Sequence, residues 1–153
     1  MTKISSLLTT QVIKIPLEAE DKDELFTELV QLLINAGTLP AARRAEAEQV
    51  LEAREEKMST GVGGGLALPH GRLADLEAPL LALGIAPNGL EYDALDGQPV
   101  NVVLAIFTPE SDPEAHVQIL TEVSRLFLVP GLVSRLSACH SSVEALELIK
   151  REE

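Results

Sequence analysis

The chain has 153 residues, of which 46% are hydrophobic and 24% charged, and 24 acids against 12 bases give a formal net charge of -12. That composition fits one globular domain with a full core and excludes a disordered chain. The charge speaks against nucleic acid and against an anionic membrane face, both of which ask for a basic surface. Between Arg72 and Arg125 there is no Lys or Arg but nine acids, a distribution that serves plain solubility as well as a basic protein partner. The lone Cys139 fits a reducing compartment, and no run approaches the ~20 apolar residues of a membrane span. The N-terminus, MTKISSLLTTQVIKI, carries no stretch apolar enough for a signal peptide, so the expected location is cytoplasmic, with no direct membrane insertion.

In chain order, Gln11 to Ile15 alternates like a strand and stops at Pro16. Asp21 to Ala36 reads as an amphipathic helix with Leu25, Leu29 and Leu33 on one face, acids at its start and Gly37 past its end. A second helix is expected from Pro40 to about Met58, dense in Ala, Glu and Arg. Then comes a glycine-rich loop, GVGGGLALPHG, from Gly61 to Gly71. Leu80 to Ala86 is a buried strand candidate, Pro87-Asn88-Gly89 a turn, Leu90 to Leu95 a further short strand, and Val100 to Phe107 the clearest strand of all. Asp112-Pro113 opens a helix whose inner face carries His116, Leu120, Val123 and Phe127, interrupted at Pro130-Gly131. Two shorter helices, Leu132 to Ala138 and Ser142 to Arg151, complete a single α/β domain with a small mixed sheet covered by helices.

The glycine loop fails the nucleotide templates. It lacks the Gly-Lys-Ser/Thr ending of a P-loop, and Leu66 stands where the dinucleotide fingerprint needs its third glycine. The three histidines, His70, His116 and His140, have no metal-ligand spacing. What remains is His70 as a nucleophile or base, neutral near pH 7 and able to carry a phosphoryl group on a ring nitrogen. Glycine amides near it would suit an anion. Against this stands the plainer reading of a lone histidine beside a turn as a surface residue. Arg54 shares a helical face with Val50 and Met58, so it is either a helix-end cation or a guanidinium clamp for phosphoryl oxygens. His116, in the first turn of its helix, is either a satisfied, partly buried histidine or a hydrogen-bond donor to a neighbouring phosphoryl group. His140 has no such context and is expected at the surface.

The stretch EEKMSTGVGGGLALPHG, Glu55 to Gly71, resembles the active-site signature of the phosphotransferase-system enzyme IIA family of the mannitol/fructose type. The matching elements are Glu55, Val62-Gly63 and Leu66-Ala67-Leu68-Pro69-His70-Gly71. LEAREE around Arg54, LEYDALDGQPVNVVLAIFTPES and AHVQIL around His116 resemble further family stretches, in order and over nearly the whole chain. The resemblance implies a mixed sheet of about five strands flanked by helices, in agreement with the layer reading. It implies His70 as the phosphorylated histidine, through Nε2, with Arg54 stabilising the phosphoryl group and His116 orienting it. It implies the phosphohistidine carrier HPr, or its nitrogen-branch paralogue, as donor, and a IIB domain or a regulatory target as partner. No cofactor and no metal are expected. Gly64 departs from relatives that carry Asn or Glu six residues before the histidine, which removes a side-chain contact that Thr60 is the candidate to replace. Residues 1–153 are expected to form one such domain, with the nitrogen-related regulatory role slightly favoured over sugar transport. The competing expectations are a binding module of the same fold that is never phosphorylated, and a metal-dependent hydrolase built on His70 and His116.

Overall fold

The computed structural model describes residues 3–153. Single 3-10 turns at Ile4–Ser6 and Thr10–Val12 precede β1 (Ile13–Lys14), which is therefore shorter than the alternation of residues 11–15 predicts. Next comes α1 (Lys22–Asn35), started by Asp21, whose carboxylate accepts from the Glu24 amide at 2.9 Å. Leu25, Leu29 and Leu33 lie one turn apart and are buried, each contributing roughly 1.5–3 kcal/mol by leaving water. Pro40 opens a 3-10 turn at Ala41–Arg43, and the α-helical part, α2, follows as Arg44–Lys57.

Five strands and three helices follow: β2 (Gly61–Gly63), β3 (Leu66–Ala67), β4 (His70–Leu73), β5 (Leu80–Leu90), β6 (Val100–Pro109), α3 (Pro113–Leu126), α4 (Leu132–Ser137) and α5 (Ser142–Glu152). Among the described residues the sheet has six strands, in the order β1-β5-β6-β3-β2, and β4 continues beyond β3 along the same side of β6. β5–β6 and β2–β3 are antiparallel, and the other pairings are parallel. Every residue from Val102 to Thr108 is buried. Since successive side chains alternate faces, both faces of β6 are covered. α1 and α2 pack together against β5 and β4 respectively, α3 and α4 pack on β6, and α5 lies against β1. This is the α/β class with a mixed sheet and flanking helices that the sequence indicates, with one strand more than about five.

Two local expectations are corrected. Pro87-Asn88-Gly89 does not turn the chain but lies inside β5, where the register against β6 shifts between Ile85 and Leu90. On its other side β5 meets β1 only at Leu83 and Gly84, so the missing N–H of Pro87 breaks no ladder bond there. Leu90 to Leu95 is not a strand of its own: only Leu90 belongs to β5, and Tyr92 is drawn fully into the core. α5 starts at Ser142 as expected and is capped by Ser141, whose hydroxyl accepts from the Glu144 amide at 3.1 Å. Glu144 therefore stands three residues after the cap, as a capping box requires.

Candidate functional site

Among the described residues, β4 pairs with β6 alone. Its residues pair in register with β6, His70 opposite Ile106 and Arg72 opposite Thr108. Gly71 between them backs onto α2 so closely that a Cβ there would collide with Cγ1 of Val50. Alternation then sends His70 and Arg72 to the opposite face, the one shared with Ile106 and Thr108. α3 packs on β6 and brings His116 to the same place. The His70 and His116 rings stand 5.8 Å apart, centroid to centroid, with planes tilted by 52°. The pairing of the two histidines that the sequence leaves open is thus made by the fold.

The His70 ring is held by its neighbour in sequence: Nδ1 lies 2.8 Å from the carbonyl oxygen of Leu68. A carbonyl can only accept, so Nδ1 carries the proton and Nε2 keeps its lone pair. The ring is half-buried. Burial pushes its pKa below the usual histidine range; the Leu68 bond opposes this, the Arg54 charge adds to it and the Glu55 charge works against it. His116 is also pushed down, first by burial and then by the charge of Arg72 and by His70. Both rings are therefore neutral at pH 7, and a neutral ring with a bare Nε2 is a nucleophile.

Arg54, in the last turn of α2, donates from Nη1 to the carbonyl of Met58 at 2.8 Å. The next residue, Glu55, ties down this end of the helix. Its carboxylate accepts from the Thr60 amide at 3.1 and 3.2 Å, the Thr60 hydroxyl at 2.5 Å, the Lys22 ammonium at 3.1 Å and the Tyr92 hydroxyl at 3.3 Å. Burial alone would raise the Glu55 pKa; the hydrogen bonds from Thr60 and Lys22 more than offset it, and the group stays ionised. Thr60 and Tyr92 are buried and share a bond of 2.7 Å, and burial pushes the Tyr92 phenol far above its usual range. One carboxylate thus joins α1, the end of α2, the start of β2 and the Tyr92 segment, and fixes the backbone from which Arg54 extends.

Two expectations about the glycine stretch are overturned. Gly63, Gly64 and Gly65 all have positive φ and make the tip of the β2–β3 hairpin. The Gly64 amide donates to Asp96 at 3.0 Å, and the Gly65 carbonyl accepts from Asn101 and Val102. The tip lies beside Asn101 while His70 pairs with Ile106, roughly 15 Å further along the ladder at ~3.3 Å per residue. Those amides do not cradle an anion at His70. For the same reason a side chain at position 64 would not reach the imidazole, and Thr60, engaged with Glu55 and Tyr92, does not stand in for one. His140 is exposed, as expected. Arg72 and Thr108 are the additions that sequence reasoning missed. The period-2 reading of an extended PHGRL run would have set Arg72 beside His70, whereas nothing in the sequence marks Thr108. A groove of about 730 Å³ along α1, bordered by Lys14, Glu28 and Asn35, lies apart from all of these residues.

Residues 6–152 match the family described as "Phosphoenolpyruvate-dependent sugar phosphotransferase system, EIIA 2". The chain is 33% identical over 151 residues to the fructose-specific EIIABC component of Bacillus subtilis, covering 99% of this chain but only 24% of that longer protein. It is 30% identical to the fructose-specific EIIA component of Haloferax volcanii, over 92% of this chain and 90% of the relative. The nitrogen regulatory protein IIA-Ntr from Neisseria meningitidis superposes with a TM-score of 0.84 at 29% identity, covering 95% of this chain and 98% of that one. With its fold, its histidine motif and nearly its full length in agreement, the chain belongs to the EIIA 2 family of the phosphoenolpyruvate-dependent sugar phosphotransferase system.

Proposed function

We propose that this chain is a phosphocarrier that takes a phosphoryl group onto Nε2 of His70 from an HPr-type phosphohistidine protein. It then passes the group to a IIB partner or uses it as a signal. The observation that carries this reading is the Leu68 carbonyl at 2.8 Å from Nδ1, which leaves Nε2 as the basic nitrogen of a half-buried ring on a strand that, among the described residues, pairs on one side only. Protein-to-protein transfer needs such an open position, since the donor's own imidazole must come within bonding reach of the same phosphorus. Arg54 supplies positive charge to the phosphoryl oxygens, and His116 supplies a hydrogen bond. No cofactor or metal takes part in this scheme. Residues 1–153 act as one IIA unit, and the compartment is the cytoplasm; no helix among the described residues is long and apolar enough to cross a membrane.

The test is incubation with phosphoenolpyruvate, enzyme I and an HPr-type protein, followed by a search for acid-labile, alkali-stable phosphate. Label in the wild type and none in His70→Ala is expected. An unlabelled wild type would favour a binding module that is never phosphorylated, and label persisting in His70→Ala would move the site elsewhere. The regulatory role is the second reading, favoured by the superposition on a nitrogen regulatory protein. It predicts partners captured by only one of the two phosphorylation states, where the transport role predicts delivery of the group to a fructose- or mannitol-type IIB domain.

A further inference from the structure

Nδ1 of His116 lies 2.6 Å from Oγ1 of Thr108. Thr108 sits on β6 with 0% of its surface exposed, in register with Arg72 and two residues past the partner of His70. A hydroxyl brings one proton and must place it on an acceptor. Among the described residues, Nδ1 of His116 is the one side-chain partner of the Thr108 hydroxyl. Were Nδ1 itself protonated, the hydroxyl could only accept, and its own hydrogen would be left buried and unpaired, which is unfavourable. The satisfied arrangement has Thr108 donating and Nδ1 accepting.

We propose that Thr108 is a positioning residue that fixes His116 in its Nε2–H tautomer, so that this ring offers an N–H to the phosphoryl group carried by His70. The inference rests on the phosphocarrier reading above. The two imidazoles are then set in opposite states by what stands at the same ring atom. At His70 a carbonyl, which can only accept, keeps the proton on Nδ1 and leaves Nε2 as nucleophile. At His116 a hydroxyl, which can donate, keeps the proton off Nδ1 and on Nε2. The charged and titratable groups acting on His116 are Arg72 and His70 from β4; on its own helix the acids are Asp112, which caps the Ala115 amide, and Glu114 in the first turn. Burial, Arg72 and His70 hold the ring neutral, the condition under which it has a tautomer to fix.

In the transfer step the Nε2 lone pair of His70 forms a bond to phosphorus as the donor's N–P bond breaks, and that electron pair returns to the donor's ring nitrogen. His70 keeps its Nδ1 proton throughout. His116 gives up no proton; its Nε2–H hydrogen-bonds an oxygen of the PO3 group, whose charge is spread over three oxygens as the bonds exchange.

The test is nitrogen-15 NMR of the histidine ring nitrogens above pH 7, in the wild type, Thr108→Val and Thr108→Ser, together with the rate of phosphoryl acceptance. The wild type is expected to show His116 protonated at Nε2 and bare at Nδ1. Thr108→Val should give a mixture of tautomers and about a tenfold slower acceptance, the worth of one hydrogen bond; Thr108→Ser should restore both. Wild-type His116 protonated at Nδ1 would overturn the proposal, and so would slower acceptance in Thr108→Val with the tautomer unchanged. The wild-type spectrum decides the tautomer even if the valine variant fails to fold. A wild type that takes no label under any condition would sink the phosphocarrier reading separately, with the tautomer still read from the spectrum.

Discussion

Two stretches of chain lie end to end along one side of β6, and they differ in how completely their polar groups are used. At the hairpin end, Gly64 and Gly65 give their amide and carbonyl to Asp96, Asn101 and Val102. At the β4 end, the chain leaves one ring nitrogen of His70 without a partner among the described residues and sets a second imidazole 5.8 Å away. The glycines look like the functional part of the motif because glycine-rich turns so often hold anions. Here they shape the turn, and the phosphocarrier proposal puts the chemistry at the other end, where a ring nitrogen has no partner among the described residues. On that proposal a motif read as one unit divides into a structural half and a reactive half.

Substitutions at the two ends should separate these roles. The largest effect is expected from His70→Ala, which removes the nucleophile and should bring phosphoryl acceptance to background with an unchanged circular dichroism melt. Arg54→Ala should slow acceptance by about a hundredfold, the scale for losing one stabilising donor. Its urea midpoint should barely move, since a half-buried arginine on a helix end carries little of the fold; a large loss of stability would make Arg54 structural instead. Glu55→Ala strands Thr60, Tyr92 and Lys22, and should cost about 3 kcal/mol of unfolding free energy in urea. Gly71→Ala forces a methyl into Val50 and should cost about 1–3 kcal/mol. Gly64→Ala meets no atom within 4 Å but has φ of +67, so a loss of about 1–2 kcal/mol is expected, with acceptance measured in the folded protein unchanged. Slower acceptance there would put the hairpin tip back into the site.

The smallest effect is a pH dependence. Both histidines have folded-state pKa values below their ordinary value of 6.5. The neutral rings favour the folded state, so their contribution to stability is complete above about pH 6.5 and is lost as pH falls through the folded-state values. Acceptance should decline over the same acid range, because protonation consumes the lone pair on Nε2. Histidine titrations followed by NMR, beside unfolding midpoints from pH 8 to 5, check both the sign and the range.

Much of this arrangement is written in local pattern. The four-residue repeat of Leu25, Leu29 and Leu33, the Asp21 cap and the β-branched run of β6 are one-dimensional signals, and each element stands where they put it. The phosphotransferase motif points to His70 and, through the resemblance, to Arg54 and His116. What the sequence conceals depends on partners distant along the chain. Pro87-Asn88-Gly89 reads as a turn, but it lies within β5 at an irregularity between the residues that pair with β6, Ile85 and Leu90. Tyr92 reads as a strand residue, but the Thr60–Glu55 pair draws it inward. Thr108 looks like any strand threonine until α3 sets His116 against it. Register and helix packing decide these cases, and neither has a local signature.

The most direct test of the central claim is to locate the phosphoryl group by phosphorus-31 and nitrogen-15 NMR on protein charged enzymatically from phosphoenolpyruvate. A single phosphohistidine at position 70, bonded through Nε2 with the proton retained on Nδ1, is the predicted result. A phosphoryl group on His116, on Nδ1 of His70, or on no histidine at all would contradict it.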